Sequence, residues 1–316
     1  MLLSVVVPMY NESKGSETFH HDILLPALEK ATKGSYEIIY VNDGSKDSTL
    51  DKLSSIAKGN SKIKVVNLSR NFGKEIAVTA GIGASTGEST LIMDGDGQHP
   101  PALIPQFIEK WQNGAQVVIG IRNSNQKEGN IKKWGSKVFY RISSSVSDNE
   151  VIPRATDFRL IDKVVRDEFL LFTERHRITR GLIDWLGFKR EYIVFDSPAR
   201  IAGEASYKTS QLFKLAMNSF VSLSLKPLFF FGWIGAAITT LSFLLGVFII
   251  IEQFTLRDPL NLGFTGAALL GIFVTFLVGI VLMSQAVMAI YISHIHTQAQ
   301  NRPLFIVDKK TSIGLE

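Results

Sequence analysis

Several short polar clusters in this chain carry the residue types that phosphate chemistry needs. Asp94 and Asp96 flank Gly95. In extended backbone, residues two apart point the same way, so both carboxylates face one side, and the glycine lets a ligand approach the chain closely. Paired carboxylates suit a hard cation such as Mg²⁺ or Mn²⁺, which takes one or two of them and fills its other positions with substrate phosphate oxygens. Asp-Gly also makes ordinary turns, and that reading stays open on the triplet alone. Asp43, in Asp43-Gly44-Ser45, is placed to hydrogen-bond a base or ribose, or else to form a turn ahead of a helix capped by Asp47 or Ser48. Arg70 and Lys74 bracket Asn71-Phe72-Gly73, where positive charge beside a glycine turn can hold a diphosphate.

The elements that must position these groups follow from periodicity. β-type runs recur at Leu3–Val7, Glu37–Val41, Lys64–Leu68, Thr90–Met93 and Gln116–Ile121, with helical patterns between them at Thr18–Ala31, Ser48–Lys58, Lys74–Ala84 and Pro101–Asn113. This alternation builds an α/β domain around a mostly parallel sheet, whose ligands bind at the carboxyl ends of the strands. The polar clusters fall at those ends.

The second half differs in composition. Neither Pro227 to Ile251 nor Pro259 to Ser293 contains Asp, Glu, Lys or Arg, and each run exceeds the ~20 residues a bilayer span requires. The expected organisation is therefore a nucleotide-binding domain over 1–205, a juxtamembrane amphipathic helix over 206–226, transmembrane helices over 227–251 and 263–293, and a tail over 294–316. Arg302, Lys309 and Lys310 follow the second span and Lys208, Lys214 and Lys226 precede the first, whereas the connecting loop offers only Arg257. That bias places both termini and the amino-terminal domain on the cytosolic side of a multi-pass cell-membrane protein. The 316 residues include no cysteine, so no disulfide framework exists, and the net charge of +5 accompanies no nucleic-acid motif. The excess suits anionic lipid and phosphate. His294 and His296, two apart on a helix, face different ways and make no metal site.

Taken in order, Val7-Pro8-Met9-Tyr10-Asn11-Glu12, Val41-Asn42-Asp43-Gly44-Ser45-Lys46-Asp47, Leu68-Ser69-Arg70-Asn71-Phe72-Gly73-Lys74 and Met93-Asp94-Gly95-Asp96-Gly97-Gln98-His99-Pro100 resemble glycosyltransferase family 2. With Asp157-Phe158-Arg159-Leu160, Arg180-Gly181-Leu182 and Trp185-Leu186-Gly187-Phe188, the chain resembles, over nearly its whole length, the branch that glycosylates polyprenyl phosphates, which includes dolichyl-phosphate mannose synthases and bacterial undecaprenyl-phosphate glucosyltransferases.

The resemblance implies an A-type, Rossmann-like nucleotide-sugar domain performing inverting transfer of one hexose. The expected donor is UDP-glucose and the expected acceptor a polyprenyl phosphate. A GDP-mannose donor is the alternative within the class, and a non-catalytic membrane-tethered scaffold the alternative outside it. Pro8, Tyr10, Asn11, Glu12 and Asp43 would cradle the nucleotide together with Arg70, Lys74, Asp94 and Gly95, while Asp94, Asp96 and Gln98 would bind the metal. Asp157 and Asp96 would be catalytic, with Asp157 the family's candidate base and Arg159 its structural partner. A phosphate acceptor is already largely ionised at neutral pH, with a second pKa near ~6, so positioning is expected to outweigh proton removal at Asp157. Arg122, Lys133, Lys137, Arg200 and Lys214 are candidate guides for the acceptor phosphate. No Gln-x-x-Arg-Trp motif of processive synthases is found. Ala202-Gly203-Glu204-Ala205-Ser206-Tyr207 departs from the Ala-Gly-Glu-Ser-Lys-Tyr of relatives. Homo-oligomerisation is left open.

Overall fold

The computed structural model describes residues 2–123, 152, 154–175, 177–198, 240, 244, 251 and 266–315. Its strands are β1 (Leu3–Met9), β2 (Tyr36–Asn42), β3 (Ile63–Asn67), β4 (Ser89–Ile92), β5 (Val117–Arg122), β6 (Ala155–Asp162) and β7 (Arg190–Phe195). The helices are α1 (Ser16–Thr18), which runs through a π-helical turn at Phe19–Leu24 into α2 (Leu25–Thr32), then α3 (Thr49–Ala57), α4 (Lys74–Ala84), α5 (Ile104–Gln112), α6 (Lys163–Leu170), α7 (Thr179–Trp185) and α8 (Gly266–Ala299). The chain divides into two compact units. One holds the sheet together with Arg302–Glu316, and the other holds α8.

Among the described residues the sheet has seven strands in the order β3-β2-β1-β4-β6-β5-β7. β1 pairs in parallel with β2 and β4, and β2 with β3. The chain therefore winds outward from β1 to β3, then crosses back to β4 on the other side of β1. That reversal opens a crevice at the carboxyl ends of β1 and β4, where ligands of such sheets bind. β1 (Leu-Ser-Val-Val-Val-Pro-Met) is almost wholly buried, as a strand covered on both faces must be. Pro8 is tolerated at its end because the β4 pairing stops at Val6.

The sheet is mixed. β6 runs antiparallel between β4 and β5, in the register Ile92↔Arg159, a strand that periodicity alone did not reveal. Its reversal matters for the site: the start of β6, with Asp157, lies at the same sheet edge as the end of β4, with Asp94.

Alternating strand residues fill a core on each face. Leu3, Val5, Val7 and Met9 pack with Leu28 of α2, Leu53 of α3 and Phe107 of α5. Val6, Ile39 and Val41 pack with Ala77 and Ala80 of α4, and Ile92 and Ile119 with Val165 and Phe169 of α6 and Ile183 of α7. A Cβ on Gly81 would lie 2.3 Å from Val6 Cγ1 and 2.9 Å from Val41 Cγ2. Small residues thus let α4 approach β1 and β2 closely, which brings Lys74 at its first turn over the crevice.

α8 exposes Leu270, Val274, Val278, Val281, Met288, Ile292 and Ile295, spaced three, four or seven apart along one side. No helix presents, among the described residues, a run long and apolar enough to cross a membrane. The expected 227–251 span lies outside them except for Thr240, Leu244 and Ile251, and the 263–293 span lies partly outside. The 206–226 helix, Lys133, Lys137, Arg200, Lys208, Lys214, Lys226 and Ala202–Tyr207 also lie outside the described residues.

Candidate active site

The loops after β1 and β2 are laced together by side chains. Asn11 takes the left-handed conformation (φ 54°), donates its N–H to Ser45 Oγ at 3.0 Å and accepts from the Lys46 N–H through Oδ1 at 2.9 Å. The Glu12 N–H bonds Thr49 Oγ1 at 2.9 Å. Asn11 and the Glu12 backbone thus tie the loop after β1 to the loop after β2. Tyr10, beside them just after β1, is exposed.

Asp43 is buried, and its two carboxylate oxygens accept the N–H groups of Phe72 at 2.7 Å and Gly73 at 3.0 Å. Burial raises its pKa, against the pull of those donors and of Arg70. Asp43 therefore fixes the Arg70–Gly73 loop, which Gly44 allows to come close: a Cβ there would lie 2.3 Å from the Arg70 carbonyl carbon. The Arg70 guanidinium lies 4.0 Å from the Phe72 ring centroid and bonds the Asn71 carbonyl at 3.0 Å.

Lys74 sits between two carboxylates rather than standing open to a diphosphate. Its Nζ lies 2.7 Å from Asp94 Oδ1 and 2.8 Å from Asp157 Oδ2. Burial would lower the Lys74 pKa, but Asp94 and Asp157 more than reverse it and hold the ammonium charged. In turn, burial would raise Asp157, and Lys74 overcomes this to hold it at about 2. Arg159 does not pair with Asp157 as expected. It reaches to the other side and forms a two-point bridge with Asp184, 2.8 Å from Nη1 to Oδ1 and 3.3 Å from Nη2 to Oδ2, while its Nε bonds the Thr156 carbonyl at 3.0 Å. The reason is reach: α7 places Asp184 where the fully buried guanidinium can satisfy both of its terminal nitrogens.

Asp94 and Asp96 lie on one loop with Gly95 between them, where a Cβ would strike Met9 Sδ at 2.5 Å. The Asp94 N–H donates to His99 Nδ1 at 2.9 Å, and His99, buried, stacks on Phe158 with centroids 5.0 Å apart and planes 8° apart. Burial lowers the His99 pKa, so the ring is neutral and its Nδ1 free to accept. Asp96 Oδ1 accepts the Gln98 N–H at 3.0 Å, and Arg122, at the end of β5, approaches Gln98 Oε1 at 3.5 Å.

Among the described residues no cluster of three or more metal-ligating side chains occurs. The donor set at the crevice is the pair Asp94 and Asp96, which matches what Mg²⁺ or Mn²⁺ takes from a protein when phosphate supplies the rest. That Asp94 already binds the positive charge of Lys74 shows this position favours a cation.

Sequence reasoning missed several contributors. Glu75, next to Lys74, accepts the Thr179 N–H at 2.8 Å and ties α4 to α7, with its pKa raised by burial and by Asp157. His99 stood in the quoted motif without a role, and Asp184 had no signal. The crevice thus gathers Asp94, Asp96, Gln98, Arg122, Asp157 and Lys74, with Pro8, Tyr10, Asn11, Glu12, Asp43 and Arg70 along its β1–β3 side.

Comparison with known proteins bears on this geometry. The model of glycosyl transferase family 2 matches residues 4–170. An uncharacterized glycosyltransferase of Synechocystis is 36% identical over 305 residues, covering 96% of this chain and 94% of the relative. A bactoprenol glucosyl transferase of Shigella phage SfII is 30% identical over 309 residues, covering 98% of each chain.

Proposed function

Because the chain belongs to glycosyl transferase family 2, we propose that it moves a single hexose, glucose from UDP-glucose, onto a polyprenyl phosphate at the cytosolic membrane face. The observation that carries this reading is the convergence of Asp94, Lys74 and Asp157 at the switch-point crevice. The polyprenyl acceptor draws support from the full-length relatives named bactoprenol glucosyl transferase.

In this reading the nucleotide lies along the β1–β3 side, its base against Tyr10 and the Asp43-held loop, and its diphosphate faces Asp94 and Asp96. A phosphate oxygen of the acceptor forms a bond to the anomeric carbon. The bond from that carbon to the donor's diphosphate oxygen breaks, and the electron pair leaves on the nucleoside diphosphate. Asp94 and Asp96 would hold a Mg²⁺ or Mn²⁺, which supplies positive charge to the departing diphosphate. Lys74 supplies fixed positive charge at the same place. Asp157, with a pKa of about 2, is a weak base, which favours positioning over proton removal. The phosphate acceptor asks for little more, being largely ionised at neutral pH.

The membrane part of the reading rests on composition. Pro227 to Ile251 and Pro259 to Ser293 contain no Asp, Glu, Lys or Arg, and each run exceeds the ~20 residues a bilayer span requires. The exposed apolar stripe of α8 suits lipid. In this reading the protein belongs to the cell membrane with both termini cytosolic, supported by the lysines and arginines that flank the apolar runs, and its acceptor phosphate is held at the bilayer surface.

The test is direct. Detergent-purified protein is incubated with polyprenyl phosphate, Mg²⁺ and labelled UDP-glucose, GDP-mannose and other nucleotide sugars, and lipid-linked sugar is separated. Glucosyl lipid from UDP-glucose is expected. Mannosyl lipid alone would replace the donor, and no product from any donor would favour the scaffold.

A further inference from the structure

The tail that follows α8 returns to the sheet. β3 is an edge strand, and Val65 and Leu68 form antiparallel bridges with Ile313 and Val307. Val65 and Ile313 exchange both backbone hydrogen bonds at 2.9 Å, and the Asp308 N–H bonds the Asn67 carbonyl at 2.8 Å. Phe305 and Val307 pack on the α4-side core, and Ile313 on the opposite one. Covering an exposed edge needs backbone pairing alone. This segment does more, because its side chains reach inward.

Thr311 Oγ1 accepts from the Asn67 side-chain amide at 2.7 Å and donates to Asp308 Oδ2 at 2.9 Å, while Ser312 Oγ accepts the Asn67 N–H at 3.0 Å. Asn67 Oδ1 then accepts from the Asn42 amide at 2.7 Å. Asn67 and Asn42 are both buried and are the last residues of β3 and β2. Directly after Asn42 comes Asp43, whose carboxylate holds the N–H groups of Phe72 and Gly73. Two residues after Asn67, the Ser69 N–H bonds the Ile306 carbonyl at 2.9 Å, immediately before Arg70. The tail therefore grips the two strand ends from which Asp43 and the Arg70–Gly73 loop emerge. In a buried relay each partner fixes the orientation of the next, and removing one leaves a polar group unpaired.

We propose that Ile306–Ile313 is a positioning element of the nucleotide pocket: Thr311 orients Asn67, Asn67 orients Asn42, and through them the tail holds Asp43 and the Arg70–Gly73 loop in their binding arrangement. This rests on the reading of that loop as the nucleotide site. It makes donor affinity depend on a segment that begins a few residues after the long apolar helix, remote in sequence from every donor-side motif.

The test uses the full chain in detergent. UDP affinity is measured by calorimetry for wild type, Thr311→Val and Thr311→Ser, alongside the thermal midpoint and hydrogen exchange of the 70–73 amides. Thr311→Val removes the acceptor of the Asn67 amide and the donor to Asp308 Oδ2; the loss of the Asn67 contact is expected to weaken UDP binding about fivefold and to speed exchange at 70–73. Thr311→Ser keeps the oxygen and is expected to stay within about twofold of wild type. Should Thr311→Val fail to fold, Ser312→Ala, which removes the acceptor of the Asn67 N–H and a hydroxyl donor to the Asp308 carbonyl within the tail itself, carries the same expectation. A variant with a lowered midpoint but unchanged UDP affinity and exchange would reduce the tail to an edge cover and overturn the proposal. Wild-type protein that bound neither UDP nor GDP would instead overturn the nucleotide reading on which it rests.

Discussion

Lys74 and Asp157, 83 residues apart in sequence, meet at 2.8 Å across the crevice, and the same ammonium reaches Asp94 at 2.7 Å. One cation thus holds together two carboxylates that would otherwise repel, at the place where the proposed reaction accumulates negative charge.

Replacing Lys74 with Met removes that charge. We expect kcat to fall by roughly 10²-fold, the scale of losing one preorganised electrostatic contact. Asp94, freed of its internal competitor, should bind Mg²⁺ at lower concentration. Steady-state assays across a Mg²⁺ titration check both, and wild-type kcat in the variant would remove Lys74 from the mechanism.

The pH dependence separates positioning from base catalysis. Asp157, held at about 2, stays ionised throughout the neutral range, so it contributes no acid limb to activity above pH ~4. An acid limb near pH ~6 is expected from the acceptor's second phosphate ionisation. Residual activity of Asp157→Asn should keep that limb. If the variant's rate became independent of pH between 5 and 7, Asp157 would be the titrating base.

The same shift has a stability consequence. A depressed carboxylate pKa stabilises the fold above the unfolded value of ~3.9, and that contribution is lost as pH falls from about 4 to about 2. Denaturant melts of wild type and Asp157→Asn should therefore converge on acidification through this window, with wild type losing the greater stability.

His99 carries the Asp94 backbone rather than any substrate. His99→Phe preserves a ring against Phe158 but leaves the Asp94 N–H without its acceptor, a loss of about 1–3 kcal/mol. The expected result is weaker Mg²⁺ binding, with the half-saturating concentration for activity moved upward about tenfold. Unchanged half-saturation would show that the loop holds its shape unaided.

Asp184→Asn tests the bridge beneath the site. Arg159 is fully buried, and loss of its charged partner should destabilise the protein by about 3 kcal/mol, read as a lower thermal midpoint. A shift of less than about 0.5 kcal/mol would mean the Thr156 and Arg180 carbonyls suffice to hold the guanidinium.

Much of the scaffold was legible along the chain, because hydrophobic period and strand-end polar clusters are local properties. The runs at Leu3–Val7 and Glu37–Val41 became β1 and β2 with a residue or two added, and the turn residues of Asp43-Gly44 and Asp94-Gly95 fell at the sheet edge as alternation requires. The order of the motifs was enough to indicate the family. Strand β6 escaped notice because Ala155–Asp162, flanked by no regular repeat, shows its role only once β4 and β5 bracket it.

What tertiary structure alone decided is who partners whom. Arg159, two residues from Asp157, pairs with Asp184, whereas Lys74, far away in the chain, pairs with Asp157. Thr311 reaches Asn67 across 244 positions. Charge and hydrogen-bonding capacity are written in residue type, but a buried group's partner depends on which elements the sheet order and helix packing bring within about 3 Å, and no local pattern encodes that distance.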